Sequence, residues 1–156
     1  MKKMFLVTLV LAAVLVLTGC LNNSLSTTII EFDHTGIDAI SGTMRLTIEA
    51  RNDRVVTWEE ITHYNLEEYL AFYHYEDADA VRAWFAGPGP RLSVFPGMTF
   101  ELLDITDTHV ITRMFYDYGV ISNEDRAAIL GEVADYISLS QSVELNIAAG
   151  GRVVEE

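Results

Sequence analysis

Residues 43–50, TMRLTIEA, alternate without a break: Met44, Leu46, Ile48 and Ala50 point to one side, Arg45, Thr47 and Glu49 to the other. A period of two with one apolar face predicts a strand lying between a core and water. The next four residues, RNDR, contain Asn52-Asp53, a pair that tolerates left-handed backbone, so the chain is expected to turn there. Residues 55–64, VVTWEEITHY, then return as the partner strand of a hairpin, with Val56, Trp58, Thr62 and Tyr64 on its apolar face. Glu60 falls on that same face. A carboxylate in that place predicts a bulge or an edge position.

The period then changes. Leu66, Tyr69, Leu70 and Tyr73 recur at helical spacing, as do Val81, Trp84 and Phe85. Asp77 and Asp79 suit a helix start, and Gly87-Pro88 a helix end. One helix broken near residues 75–77 is predicted, although its first part could instead prolong the second strand. Residues 87–97 hold all three prolines and read as a rigid loop. Residues 98–106 and 109–118 form a second hairpin about an Asp-Thr turn. Ser122, with Asp125 three positions on, begins a short helix that Gly131 stops. A last helix over SLSQSVELNIAAGG places Val143 and Ile147 one turn apart and ends at Gly150-Gly151. Strand pairs interleaved with helices predict an α+β two-layer domain: an antiparallel sheet built from two hairpins, with helices packed on one face.

The N-terminal segment has a different character. Met1-Lys2-Lys3 is a basic head, and residues 4–17 are apolar, a length that fits a secretory signal. A membrane-spanning helix needs about 20 residues. Thr18, Gly19 and Cys20 follow, and this Leu-Thr-Gly-Cys ending resembles the lipobox of bacterial lipoproteins. The resemblance implies cleavage before Cys20 and lipidation of its sulfur. Two acyl chains hold stably in a bilayer where one does not, each buried methylene contributing about 0.8 kcal/mol. Cys20 is the only cysteine in the chain, so its alkylation would leave none for a disulfide, a metal or a nucleophile. The expected organisation is a signal peptide over residues 1–19, a lipidated cysteine and tether over 20–40, and one extracytoplasmic domain over 41–156. Residues 21–28, LNNSLSTT, read as tether, and 29–32, IIEF, as either a first strand or more tether.

Charge narrows the possible partners. The whole chain carries a formal −13, and both lysines lie in the leader. Without the leader, eight arginines face 23 carboxylates, a formal charge of −15. Such a surface repels nucleic acid, so no nucleic-acid partner is expected, and it attracts cations or basic partners.

The stretches GTMRLTIEARNDRV and TDTHV, and the ending ISLSQSVELNIAAGGRVVE, in that order and together with the lipobox, resemble the YehR-like family of small bacterial lipoproteins. The similarity runs in pieces over residues 42–154. It implies an α+β extracytoplasmic domain of unknown role and supplies no active residues. This chain differs from the family in having no lysine after its leader, and in its aromatic segment 69–75 and its proline-bearing loop.

Three constellations bear on chemistry. Asp104, Asp107 and His109 surround a turn and are weak candidates for a metal, since oxygen and imidazole donors suit calcium or zinc; acidic turn corners are the ordinary explanation, and no metal or cofactor is expected. Trp58, Tyr64, Tyr69 and Tyr73 are weak candidates for a glycan or peptide groove, although these positions also suit a core. Glu59 with Glu60, or Glu67 with Glu68, would suit glycoside hydrolysis if they converged, yet neighbours on a strand or helix diverge. No nucleophile, phosphate-loop or dinucleotide motif is present, so an enzyme is not expected. The expected function is a non-enzymatic binding or interaction module, held at the bilayer through Cys20 and meeting an envelope protein or cell-wall partner. A small-ligand or cation-binding lipoprotein is the alternative, and a cell-wall hydrolase a third.

Overall fold

The computed structural model describes residues 24–87, 95–130 and 136–154. Six strands, β1 (Ser26–Phe32), β2 (Gly42–Arg51), β3 (Arg54–Asn65), β4 (Met98–Ile105), β5 (His109–Asp117) and β6 (Arg152–Val154), form one sheet in the order β4-β5-β3-β2-β1-β6. Every neighbouring pair is antiparallel. Four helices, α1 (Leu66–Tyr73), α2 (Ala78–Ala86), α3 (Asn123–Leu130) and α4 (Leu139–Ala148), complete an α+β two-layer domain. Both expected hairpins, β2–β3 and β4–β5, are present.

The sheet is longer than two hairpins. Residues 26–28, read as tether from the sequence, and 29–32, left open between a first strand and more tether, together are β1, an internal strand between β2 and β6. Ile29, Ile30 and Phe32 are buried there, so the folded domain begins some fifteen residues before position 41. Strand β6 was not expected. A helix end sets it up: the Gly151 N–H donates to Asn146 O and the Gly150 N–H to Ile147 O, with Gly150 at φ +99°. This pair of bonds satisfies the last carbonyls of α4 and reverses the chain. A Cβ on Gly151 would lie 2.6 Å from Ile30 Cγ2, so only glycine lets the returning chain close on β1.

A register shift between Glu49 and Ala50 puts Val55 opposite Ala50 and leaves Val56 as the extra residue. Val55, not Val56, therefore joins the buried face. This corrects the expectation for Glu60: the bulge lies four residues before it, and β3 is internal to the sheet rather than an edge.

One sheet face carries the core. Ile30, Phe32, Leu46, Ile48 and Val55 form one buried cluster, against which Ile137, Leu139 and Val143 pack. Ile40, Tyr69, Val81, Ile105 and Val110 form a second cluster, under α1 and α2. The opposite face is charged, as the alternation requires. There the Arg113 guanidinium bridges Glu59 (2.5 Å) and Glu101 (2.9 Å), and Arg45 pairs with Glu31 (3.7 Å).

The predicted helix break is real: α1 ends at His74 in left-handed geometry (φ 59°), and Asp77 caps α2 by accepting from the Ala80 N–H (2.8 Å). Asn65 caps α1 directly from the end of β3, so residues 66–73 are helix and not more strand. Ser122 begins α3, its Oγ accepting from the Asp125 N–H (3.0 Å). The predicted stop at Gly131 and most of the proline-bearing loop lie outside the described residues.

Two glycines test the backbone. A Cβ at Gly42 (φ +152°) would meet the His63 carbonyl oxygen at 1.9 Å, whereas one at Gly36 (φ +77°) meets nothing within 4 Å. Gly42→Ala is expected to cost about 3 kcal/mol or more, because two paired strands must separate. Gly36→Ala should cost about 1–2 kcal/mol, the left-handed penalty alone. Urea denaturation of the two variants side by side measures the difference.

Candidate functional site

On the inner face of β3, residues 58 and 60 are neighbours because side chains two apart share a face. Trp58 stands opposite Tyr116 of β5. Its indole Nε1–H donates to Glu60 Oε1 at 2.7 Å. Tyr118, just past β5, stacks on Tyr116 with ring centroids 6.0 Å apart and planes within 5°. These four side chains make one wall of a cavity of about 360 Å³. Small-molecule sites span roughly 300–1,000 Å³.

Tyr136, Ile137 and Ser138, with Gln141, Ser142 and Leu145 of α4, make the other wall. One residue fastens this wall to the sheet. Asn52 and Asp53 take φ of 50° and 63°, the left-handed pair that a two-residue hairpin turn needs. That turn aims the Asp53 carboxylate at the start of α4. Its Oδ1 accepts from the Ser140 N–H (2.8 Å), and its Oδ2 from Ser138 Oγ (2.7 Å) and Ser140 Oγ (3.2 Å). Backbone bonds flank it, from the Leu139 N–H to Asp53 O (2.8 Å) and from the Val55 N–H to Ile137 O (2.9 Å). The Ser138 hydroxyl, then the Ser140 amide, hold the Asp53 carboxyl below its usual range.

Glu60 is the chemical centre of the cavity. Burial pushes its carboxyl above the ordinary 4.5, and the hydrogen bond from Trp58 offsets this in part. Burial raises the Tyr116 phenol to about 12, and the nearby Glu60 charge adds to the shift. Tyr118 and Tyr64 are also raised, by burial first, with Glu60 contributing to both. The buried Arg126 donates from Nη2 to Tyr118 O (3.3 Å), and its guanidinium lies 5.8 Å from the Tyr118 ring centre. Among the described residues, Glu60 forms no ion pair, and it is the one charged side chain lining the cavity.

The residues singled out from sequence fall in several places. Trp58 lines the cavity. Tyr64, Tyr69 and Tyr73 instead pack in a chain of rings, with centroids 5.3 and 4.7 Å apart, around the second core cluster. Asp104 Oδ1 accepts from the Ile105 N–H (2.8 Å), and His109 Nδ1 lies 2.8 Å from Thr108 Oγ1. Neither converges with Asp107 on a common point, and among the described residues no three His, Cys, Asp or Glu side chains gather to hold a metal. Glu59 and Glu60 point to opposite faces of β3. On α1, Glu68 accepts from the Ser41 N–H (2.5 Å), while Glu67 is exposed. Cys20 lies outside the described residues. Sequence reasoning missed the convergence of Glu60 with Tyr116, Tyr118 and Tyr136. The available signal was Trp58 and Glu60 at positions i and i+2 of one strand.

No protein-family model matches the chain, and no curated protein does. Solved structures show the same fold. The NMR structure of the Escherichia coli YehR protein, a structural-genomics target, superposes with a TM-score of 0.60 at 16% identity, covering 86% of this chain and 94% of that one. The NMR structure of a protein from Streptococcus pneumoniae TIGR4 gives 0.58 at 14% identity, covering 85% and 86%.

A carboxylate whose pKa is raised on folding destabilises the protein at high pH. The penalty is absent below the unfolded value, near 4.5, and complete above the folded one. Glu60→Gln keeps the shape and the acceptor for Trp58 but removes the charge. It should raise Tm at neutral pH, and the gain should shrink to nothing near about pH 4. Differential scanning fluorimetry across that range checks both the sign and the pH window.

Proposed function

We propose that this chain is a YehR-like bacterial lipoprotein whose extracytoplasmic domain binds a small ligand between α4 and the sheet. The fold shared with YehR supports family membership. The basic head, apolar run and Leu-Thr-Gly-Cys ending support lipidation at Cys20 and a place on the outer side of the cell membrane.

The observation that carries the binding assignment is Glu60: a half-buried carboxylate with no ion pair among the described residues, set between aromatic rings in a cavity of about 360 Å³. A core has no use for such a group, and perturbed ionisable groups in clefts mark functional sites. Catalysis is not part of the proposal, which rests on the Glu60 carboxylate and the rings around it. Of the two binding classes, this geometry favours the small-ligand lipoprotein over a surface that only presents charge to a protein.

The position of the cavity suits an anchored protein. Ser26 pairs with Ala50, which pairs with Val55, so the start of β1 and the turn carrying Asp53 lie at the same end of the sheet. Five residues separate Cys20 from Ser26. Fully extended, they reach about 17 Å. The cavity is thus held near the bilayer.

Two measurements test this. Intact-mass spectrometry of the membrane-extracted protein should show a diacylglyceryl adduct on Cys20, and Cys20→Ala should release the protein from the membrane fraction. A thermal-shift panel of cationic, neutral and anionic small molecules on the full-length protein in dodecyl maltoside should find at least one saturable stabiliser. A flat panel overturns the small-ligand assignment.

A further inference from the structure

We propose that the ligand of the Glu60 cavity is an organic cation, a protonated amine or quaternary ammonium group seated against the Glu60 carboxylate; this rests on the cavity being the ligand site. Charge disfavours an anion. The described lining carries one carboxylate and no lysine or arginine to offset it. The chain around it is strongly acidic, which raises the local concentration of cations.

The size and donor set exclude a bare metal ion as the designed occupant. Calcium takes six to eight oxygens at about 2.3–2.6 Å, and zinc takes four donors. Here a single carboxylate sits among Trp58, Tyr116, Tyr118 and Tyr136, in a space of about 360 Å³. Those rings are the other half of the argument. Indole and phenol faces attract cations by about 0.5–2 kcal/mol, most strongly where water is excluded, and weakly hydrated ammonium groups gain most. An apolar wall also accommodates the carbon around the nitrogen, which a metal ion lacks.

The electrostatics of the wall agree. Glu60 disfavours ionisation of both Tyr116 and Tyr118, so its field reaches these two wall phenols. A cation placed between them meets neutral rings and the Glu60 charge, and the buried Arg126 guanidinium, 5.8 Å from the Tyr118 ring centre, is not part of the lining. The indole N–H of Trp58 holds Oε1 in place at 2.7 Å. The carboxylate is therefore oriented before the ligand arrives, which lowers the entropic cost of binding.

The experiment uses full-length protein in dodecyl maltoside. Trp84→Phe leaves Trp58 as the sole indole, since the chain has two tryptophans. Choline and ethanolamine are the probes. Their neutral isosteres, 3,3-dimethylbutan-1-ol and propan-1-ol, are the controls. At neutral pH at least one cation should change Trp58 fluorescence saturably, and its isostere should bind at least ~10-fold more weakly. Glu60→Gln should weaken the cation by a similar factor and leave the isostere unchanged.

The isostere comparison keeps the test valid even if Glu60→Gln folds poorly. Nanodiscs of phosphatidylcholine or phosphatidylethanolamine, compared with phosphatidylglycerol, distinguish the source of the cation: a response in the first two alone assigns it to a lipid headgroup, and a response only to the dissolved amines assigns it to a free one. Equal binding of cation and isostere overturns the proposal. A neutral or anionic stabiliser in the thermal-shift panel, with both cations silent, overturns it and leaves the cavity as a ligand site. Silence of every compound overturns both.

Discussion

The bonds from the Asp53 carboxylate to the start of α4 hold the molecule's two layers in register at one end. Three donors, the Ser140 amide and the Ser138 and Ser140 hydroxyls, converge on this one side chain. The carboxylate lies beside the N-terminal turn of a helix, where exposed amides favour negative charge. Everything on the helical side of the cavity follows from that attachment. Ile137 is paired to Val55 through its backbone, Leu139 and Val143 are laid on the first core cluster, and Tyr136 and Gln141 are brought over Trp58. The attachment exists because Asn52 and Asp53 accept left-handed backbone, so the tight turn and the fastening of α4 are one structural event.

The two faces of β3 treat adjacent glutamates differently. Glu59 looks outward and shares Arg113 with Glu101, an arrangement that water and counter-charge both support. Glu60 looks inward to an indole N–H and three phenols. A half-buried carboxylate satisfied by one hydrogen bond is a cost to folding, since desolvation is only partly offset. Natural sequences retain such groups chiefly where something binds or reacts. In the second core cluster the rings pack on one another and on Val81 and Ile105.

Much of this architecture was legible from residue order, and the exceptions have physical reasons. Strands β2 to β5 announce themselves by alternation, because each has one wet face. Strand β1 does not: its Ile29 and Ile30 are both buried, so the apolar pair carries no period. Strand β6, three residues long, exists only because Gly151 lets the chain close on Ile30 and Phe32. Glu60 was visible as an anomaly on an apolar face, and pattern alone resolves such an anomaly as a fault in the strand. Its true environment depends on Tyr116, Tyr118 and Tyr136, which lie more than fifty residues away and are brought together by tertiary packing. Cross-strand partners and helix docking are pairings between distant segments, and a single chain carries no local mark of them.

The internal position of β1 has a mechanical consequence. Tension applied through the residues before Ser26 acts along the strand axis, while the bonds to β2 and β6 run across it. The load therefore falls on many bonds in shear at once, instead of peeling them apart one after another. Extraction would also have to drag Ile30 and Phe32 out of the first core cluster. A chain pulled from its front end meets an internal strand anchored in the core first.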